Sequence, residues 1–390
     1  MKNVDAGLLL GKRAAALLVV CAAIATHSRP ALAEDGVSAT EIKVGVVNVT
    51  SGPIAISGQT FTDGTKAYFD KVNRDGGVNG RKINMLHYDD RYEPKVAAEQ
   101  TTKAIEQDKV FCLISANGTP TAKAVLPIVK SAKVPYLFPR TGDPATREPF
   151  DKYVFNLRSS FADEMDALIE FALKNGKKKI AVLTQKDAFG DTIKSGARKA
   201  MAKRGMSEFA GEGLVERNST EIKDAFAKIE ASNPDAVVMA VTAAAGTPFV
   251  KMAHEKGKTW EFLNANNNNP IVEQLPKDMK VDLIVSQVVP NPVSSALPIA
   301  KEFKAEMKKI GKPDLDDDLI AFEGYINAAA LVEALKRAGK DPTRDSLISG
   351  FEASPMDLGG YKVSWSSHDH NGKSSVFLTR GEAQKFVDLK

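Results

Sequence analysis

The chain has 390 residues, 43% hydrophobic and 26% charged, the proportions of an ordinary globular protein with no long disordered tract. Its length allows two or three domains. A net charge of +4 with no basic stripe excludes a nucleic-acid binder, and only two cysteines exclude a disulfide scaffold.

The amino end reads as a targeting segment. Lys12 and Arg13 precede an apolar run from Ala14 to Ala25, and Ala31-Leu32-Ala33 follows as a small-x-small cleavage site. The run is short for a membrane span. Cleavage is expected after Ala33, giving a secreted, periplasmic protein. That stretch holds four basic residues and one acidic one, so the remainder carries 49 and 48, a net charge of +1. A lipid anchor on Cys21 is disfavoured, because Leu18, Val19 and Val20 before it are not small. Cys112 then stands alone in an apolar run and reads as core.

From residue 42 the chain alternates β-rich runs with helical spacings. Ile42 to Val49 is the first strand, broken at Thr50-Ser51-Gly52-Pro53. A helix over 57–74 ends in glycines suited to a C-cap. Ile83 to Tyr88 is a strand, with Asp89-Asp90-Arg91 at its end. Those carboxylates suit acid–base work, or simple salt bridges with Arg91 and Lys95 on the surface. Pro94 opens a helix. Phe111 then starts a buried strand that turns at Asn117-Gly118. Thr119 with Pro120 predicts a helix start, hydroxyl cap then proline. Such an end suits an anion, and also occurs as a plain β–α turn. Val134 to Phe138 is a fourth strand, ending at Arg140-Thr141.

The alternation restarts near Ser159. Helices are expected at 161–174, from the Gln185–Gly190 turn to Arg204, at 221–231 and at 246–256. Strands are expected at 179–183, 208–215, 235–241, 260–263 and 281–288. An Asn-rich loop runs from Asn264 to Asn269. Helices over 297–310, 317–338 and 343–351 follow, and then short strands at 361–365 and 376–379. This is α/β architecture with two doubly wound halves in tandem.

Several chemistries lack their motifs. The first strand has no glycine-rich dinucleotide turn, and there is no phosphate-binding Gly-Lys-Ser/Thr turn. No nucleophile elbow appears. His368-Asp369-His370 has no further ligands at metal spacing and suits a hairpin turn. The aspartates from Asp314 to Asp318 lack a calcium-loop pattern. Polar residues instead gather at strand ends in both halves. They are Ser51, Ser57, Arg91, Asn117, Thr119, Arg140 and Thr141 in the first, with Gly118 a further binding candidate in the same turn, and Gln185, Asp187, Phe189, Thr242 and Asn266 in the second. Two facing polar rims without a reactive centre describe a binder, not an enzyme, with no cofactor and no metal.

The order of Ile42 to Val46, Ser51-Gly52-Pro53, Gly77 to Gly80, Tyr88-Asp89-Asp90, Asn117 to Thr121, Phe138-Pro139, Asp187 to Gly190 and Glu323-Gly324-Tyr325 resembles the periplasmic solute-binding proteins of ABC transporters, branched-chain amino-acid type. The resemblance implies two Rossmann-like lobes joined by a three-crossover hinge, the type I periplasmic binding fold. It implies lobe I at 34–158 with 289–363 and lobe II at 159–288 with 364–390. It also implies a monomer that closes on a small-molecule ligand and delivers it to a membrane permease. Carboxylate contacts are implied near Thr119, Arg140 and Thr141, and an aromatic at Phe189. The position pairing an ammonium falls near Asn266, which is neutral, so an organic or aromatic acid stands beside an amino acid as ligand. Arg91 or Arg140 is the implied counter-charge. A ligand-sensing module for a membrane receptor and an enzyme on the same two-lobed fold remain the alternatives.

Overall fold

A computed structural model describes residues 34–389 apart from Pro53, Ser115, 266–268, Ser354 and 373–374. The proposed leader, its cleavage site and Asn266 lie outside the described residues. Asp35 to Lys390 forms one compact unit.

The first half builds a five-stranded parallel sheet in the order β2-β1-β3-β4-β5. Its strands are β1 (Glu41–Asn48), β2 (Lys82–Asp89), β3 (Cys112–Ile114), β4 (Tyr136–Leu137) and β5 (Val154–Phe155). Strands β3, β4 and β5 are short, fully buried apolar runs because helices cover both faces there, leaving no wet side to alternate toward. Helices α1 (Ala55–Arg74), α2 (Pro94–Glu106) and α3 (Thr119–Ala132) make the crossovers.

The second sheet has seven strands, β14-β13-β10-β9-β8-β6-β7. The parallel part is β6 (Ile180–Gln185), β7 (Glu212–Val215), β8 (Ala236–Ala240), β9 (Glu261–Asn264) and β10 (Asp282–Gln287). Helices α4 (Phe161–Lys174), α5 (Ala188–Ala202), α6 (Lys223–Ala231), α7 (Ala243–Glu255) and α8 (Asn269–Gln274) flank it. Ser160 and Asp163 form a capping box that starts α4.

The chain then returns to the first sheet. Helices α9 (Pro298–Lys309), α10 (Leu319–Ala338) and α11 (Arg344–Glu352) share a core with β1, α1 and the hairpin of β11 (Met356–Leu358) and β12 (Tyr361–Val363). Helix α10 is buried nearly all round. A Cβ on Gly64 would lie 1.8 Å from the Ala321 carbonyl oxygen, and one on Gly324 would lie 2.3 Å from that of Phe61. Only glycine permits these helix backbones to touch, which explains the word Glu323-Gly324-Tyr325.

A last segment crosses back to add β13 (Phe377–Glu382) and β14 (Lys385–Asp388) antiparallel to the second sheet. The chain thus passes between the sheets three times: after β5, after β10 and after β12. These are the two Rossmann-like lobes and the three-crossover hinge of the type I fold.

Candidate functional site

In both lobes the carboxyl ends of the parallel strands face one crevice, where open α/β sheets place their ligands. A cavity of about 120 Å³, measured to the centre of a water-sized sphere, lies there. The first lobe supplies Ile54, Ile56 and Ser57 from the start of α1, Tyr92 after β2, and Asn117 and Gly118 after β3. The second supplies Phe189, Thr242, Ala243, Pro270 and Gln274. The wall is mainly apolar with a few convergent polar groups, as small-molecule sites are. Among the described residues no His, Cys, Asp and Glu cluster could hold a metal ion.

Two backbone features shape the cavity. Arg91 and Tyr92 both have positive φ, 53° and 59°. Asp90 supports that turn by accepting the Tyr92 N–H at 2.7 Å. The turned chain lays the Tyr92 ring on Gly118. A Cβ there would lie 2.3 Å from the ring, and Gly118 has φ 101°. Gly118 is also the residue preceding α3, and no side chain caps that helix.

The cap expected from Thr119 is therefore not made. The Thr119 and Thr141 hydroxyls bond each other at 2.7 Å, both fully buried behind the cavity wall. Arg140 is buried too, and does not line the cavity as a counter-charge. Its Nε donates to Glu323 Oε2 at 3.2 Å, and its Nη1 donates to Ser57 Oγ at 2.6 Å and Asn117 Oδ1 at 3.2 Å. Arg91 is exposed and outside the lining. Asp187 caps α5, accepting from the N–H groups of Phe189 at 3.1 Å and Gly190 at 3.0 Å. Of the residues singled out by sequence, the structure brings Ser57, Asn117, Gly118, Phe189 and Thr242 together at the cavity.

Asp89 and Asp90 are not a salt-bridged surface pair. Burial works to raise Asp89, but hydrogen bonds from Ser51 and from the N–H groups of Thr50 and Arg91 outweigh it and hold the carboxyl down at about 2. Burial of Asp90 pushes its carboxyl up to about 7.

Sequence reasoning missed Tyr92, Gln274, Arg217 and Glu323. Tyr92 needs two consecutive left-handed residues, which nothing in Arg91-Tyr92 announces. Arg217, beyond β7, reaches across the crevice. Its Nη2 donates to the Tyr92 carbonyl, and its Nη1 meets Glu93 Oε2 at 3.1 Å. Its Nε lies 3.5 Å from Asp187 Oδ2, and the guanidinium stacks on the Tyr92 ring at 4.8 Å. Near the base of α8 a second acid pair spans the lobes. Burial and then the neighbouring Asp318 raise the Glu273 carboxyl above the usual range, and burial raises Asp318.

A continuous buried chain of polar contacts runs from the cavity through the hinge. Beyond Arg140, Glu323 Oε1 lies 3.6 Å from Arg158 Nε, and Arg158 Nη2 lies 3.9 Å from Glu164 Oε1. Glu164 accepts from Ser286 Oγ at 2.6 Å, in the second lobe.

Residues 41–385 match the family model described as "Periplasmic binding protein". The chain is 23% identical over 274 residues to an amino acid binding protein of Pseudomonas aeruginosa, covering 68% of this chain and 72% of that one. It is 28% identical to the Leu/Ile/Val-binding protein of Escherichia coli over 212 residues, about half of each. The crystal structure of a possible leucine/isoleucine/valine-binding protein from Rhodopirellula baltica superposes with a TM-score of 0.84 at 25% identity, covering 92% of this chain and 98% of that one. With two α/β lobes, a cavity between their strand ends and a match along nearly its whole length, the chain belongs to the periplasmic binding protein family.

Proposed function

We propose that this protein is the periplasmic substrate-binding component of an ABC importer. It captures a small carboxylate-bearing solute, an amino acid or an organic or aromatic acid, and presents it to a membrane permease without chemical change. The observation that supports this most is the cavity at the strand ends, walled by both lobes and bridged by Arg217. Closure of one lobe on the other explains how a water-filled crevice becomes an enclosed site. A signal peptide ending at Ala33, a monomeric state and the lobe boundaries at 158, 288 and 363 belong to the same proposal.

The ligand carboxylate lies against the first lobe, where Ser57, Asn117 and the turn into α3 meet. Tyr92 and Phe189 face the ligand's body. Thr119 and Thr141 support that turn from behind. The test is a thermal-shift screen over amino acids, aromatic acids and short carboxylates. A true ligand raises the melting temperature with concentration, by mass action. Failure of every acid in the screen to stabilise the protein overturns the proposal.

A further inference from the structure

The hydrogen-bonding polarity of the cavity wall is decided by charges that do not touch the cavity. On the first lobe, Arg140 Nη1 donates to both Ser57 Oγ and Asn117 Oδ1. A guanidinium has donors only. Both oxygens must therefore accept, and the Asn117 amide has one permitted orientation. The Ser57 proton and the Asn117 amide hydrogens are left for the cavity that both residues line. On the second lobe, Gln185 Nε2 donates to Asp187 Oδ2 at 2.6 Å. A carboxylate only accepts, which fixes the Gln185 amide and turns Oε1 to Thr242. Thr242 Oγ1 donates its proton there at 3.2 Å. Its oxygen then faces the cavity with lone pairs alone.

We infer that Arg140 and Asp187 are positioning residues that fix the polarity of two facing points of the wall, donors at Ser57 and Asn117 on the first lobe and an acceptor at Thr242 on the second. The ligand class follows: an apolar body with a carboxylate or carbonyl acceptor at one end and a neutral donor, hydroxyl or N–H, at the other. An ammonium fits poorly, since no carboxylate appears among the described lining residues. A second carboxylate fits worse, because it would meet the Thr242 lone pairs. The aromatic wall of Tyr92 and Phe189 suits a flat body. This inference rests on the proposal that a carboxylate solute binds in this cavity.

Calorimetry with benzoate, 4-hydroxybenzoate and terephthalate as probes tests it. The hydroxyl should tighten binding about tenfold over benzoate, the worth of one added hydrogen bond. Terephthalate should bind more weakly than benzoate. In Thr242→Val the ratio of 4-hydroxybenzoate to benzoate affinity should fall to near one, a change that a merely structural role would not produce. Arg140→Lys keeps a cation beside Glu323 but loses the forked donor. Its preference for benzoate over benzamide should fall about tenfold. Should that variant fail to fold, Asn117→Asp takes its place. It still accepts from Arg140, but offers the cavity an acceptor, so benzoate affinity should drop at least tenfold with the fold intact. If benzoate binds while the hydroxyl gains nothing and Thr242→Val leaves the ratio unmoved, the polarity assignment is wrong and the carboxylate proposal stands. Unchanged benzoate selectivity in Arg140→Lys, or unchanged benzoate affinity in Asn117→Asp, also overturns it. If none of the three acids binds, both fall.

Discussion

Replacing Asp90 by asparagine should stabilise this protein progressively as pH rises above about 4, most of all at neutral and alkaline pH. Asp90 is fully buried beneath the Tyr92 turn. One carboxyl oxygen accepts the Tyr92 N–H, and the other has no hydrogen-bond partner. Burial is the main cause of its rise from 3.8 to about 7, and Asp89 adds to it. About three units at about 1.4 kcal/mol each give an upper figure of about 4 kcal/mol. The sign follows from proton counting. Between about pH 4 and 7 the folded protein keeps a proton that the unfolded chain has released. Stability therefore falls as pH rises through that window, then levels off above 7. Asparagine keeps the acceptor for Tyr92 and has nothing to ionise. The gain of Asp90→Asn over the native protein should be near zero at pH 4 and grow to roughly 2–4 kcal/mol by pH 8. Urea unfolding at four pH values between 4 and 8 measures it. Two parallel stability curves, or a variant less stable at pH 8, would refute the reasoning.

Three further outcomes are expected. Arg217→Gln removes a partly exposed guanidinium that holds Tyr92, Glu93 and Asp187 across the crevice. Discounted for solvent screening, this should cost about 1–2 kcal/mol, seen by stopped flow as roughly tenfold faster ligand release, with a smaller change in association. Thr119→Val strips a buried hydroxyl from Thr141 and should lower stability by about 1–2 kcal/mol in urea titration. A loss of affinity with unchanged stability would instead restore the direct ligand contact expected from sequence. Burial pushes the Cys112 thiol up to about 12, so a thiol reagent at pH 8 should label it only as the protein unfolds. Rapid labelling of the native protein would contradict that.

The fold was largely legible in the chain because each lobe repeats one pattern, an apolar strand followed by an amphipathic helix. Phe161–Lys174 was placed to the residue, helped by the Ser160 cap. The misses have local causes. Val154–Phe155 is two residues long, too short for any periodicity. Lys385–Asp388 is an exposed edge strand with little apolar character. Asn269–Gln274 starts inside the Asn-rich loop, which reads as turn. Of the residues announced by strand ends, Ser57, Asn117, Phe189 and Thr242 line the cavity. What sequence could not give was who stands in front of whom. Arg140 looked like a ligand counter-charge because it follows a strand. Its partner Glu323 is 183 positions away, and only the fold brings them together. Tyr92 and Arg217 meet for the same reason, across two lobes.

The buried polar chain through the hinge bears on how such a protein can acquire a new ligand. Ser57 and Asn117 belong both to the cavity and to the run Arg140–Glu323–Arg158–Glu164–Ser286. A change at either reaches a desolvated charge, where a lost partner is costly. Ile54, Ile56, Ala243 and Pro270 line the same cavity with no such link. Divergence in selectivity should therefore accumulate at these apolar positions, which are free to vary in size and shape. The polar pair should stay constant while the solute changes. A designer retargeting this scaffold has the same choice: resculpt the apolar wall first, and alter Ser57 or Asn117 only together with Arg140.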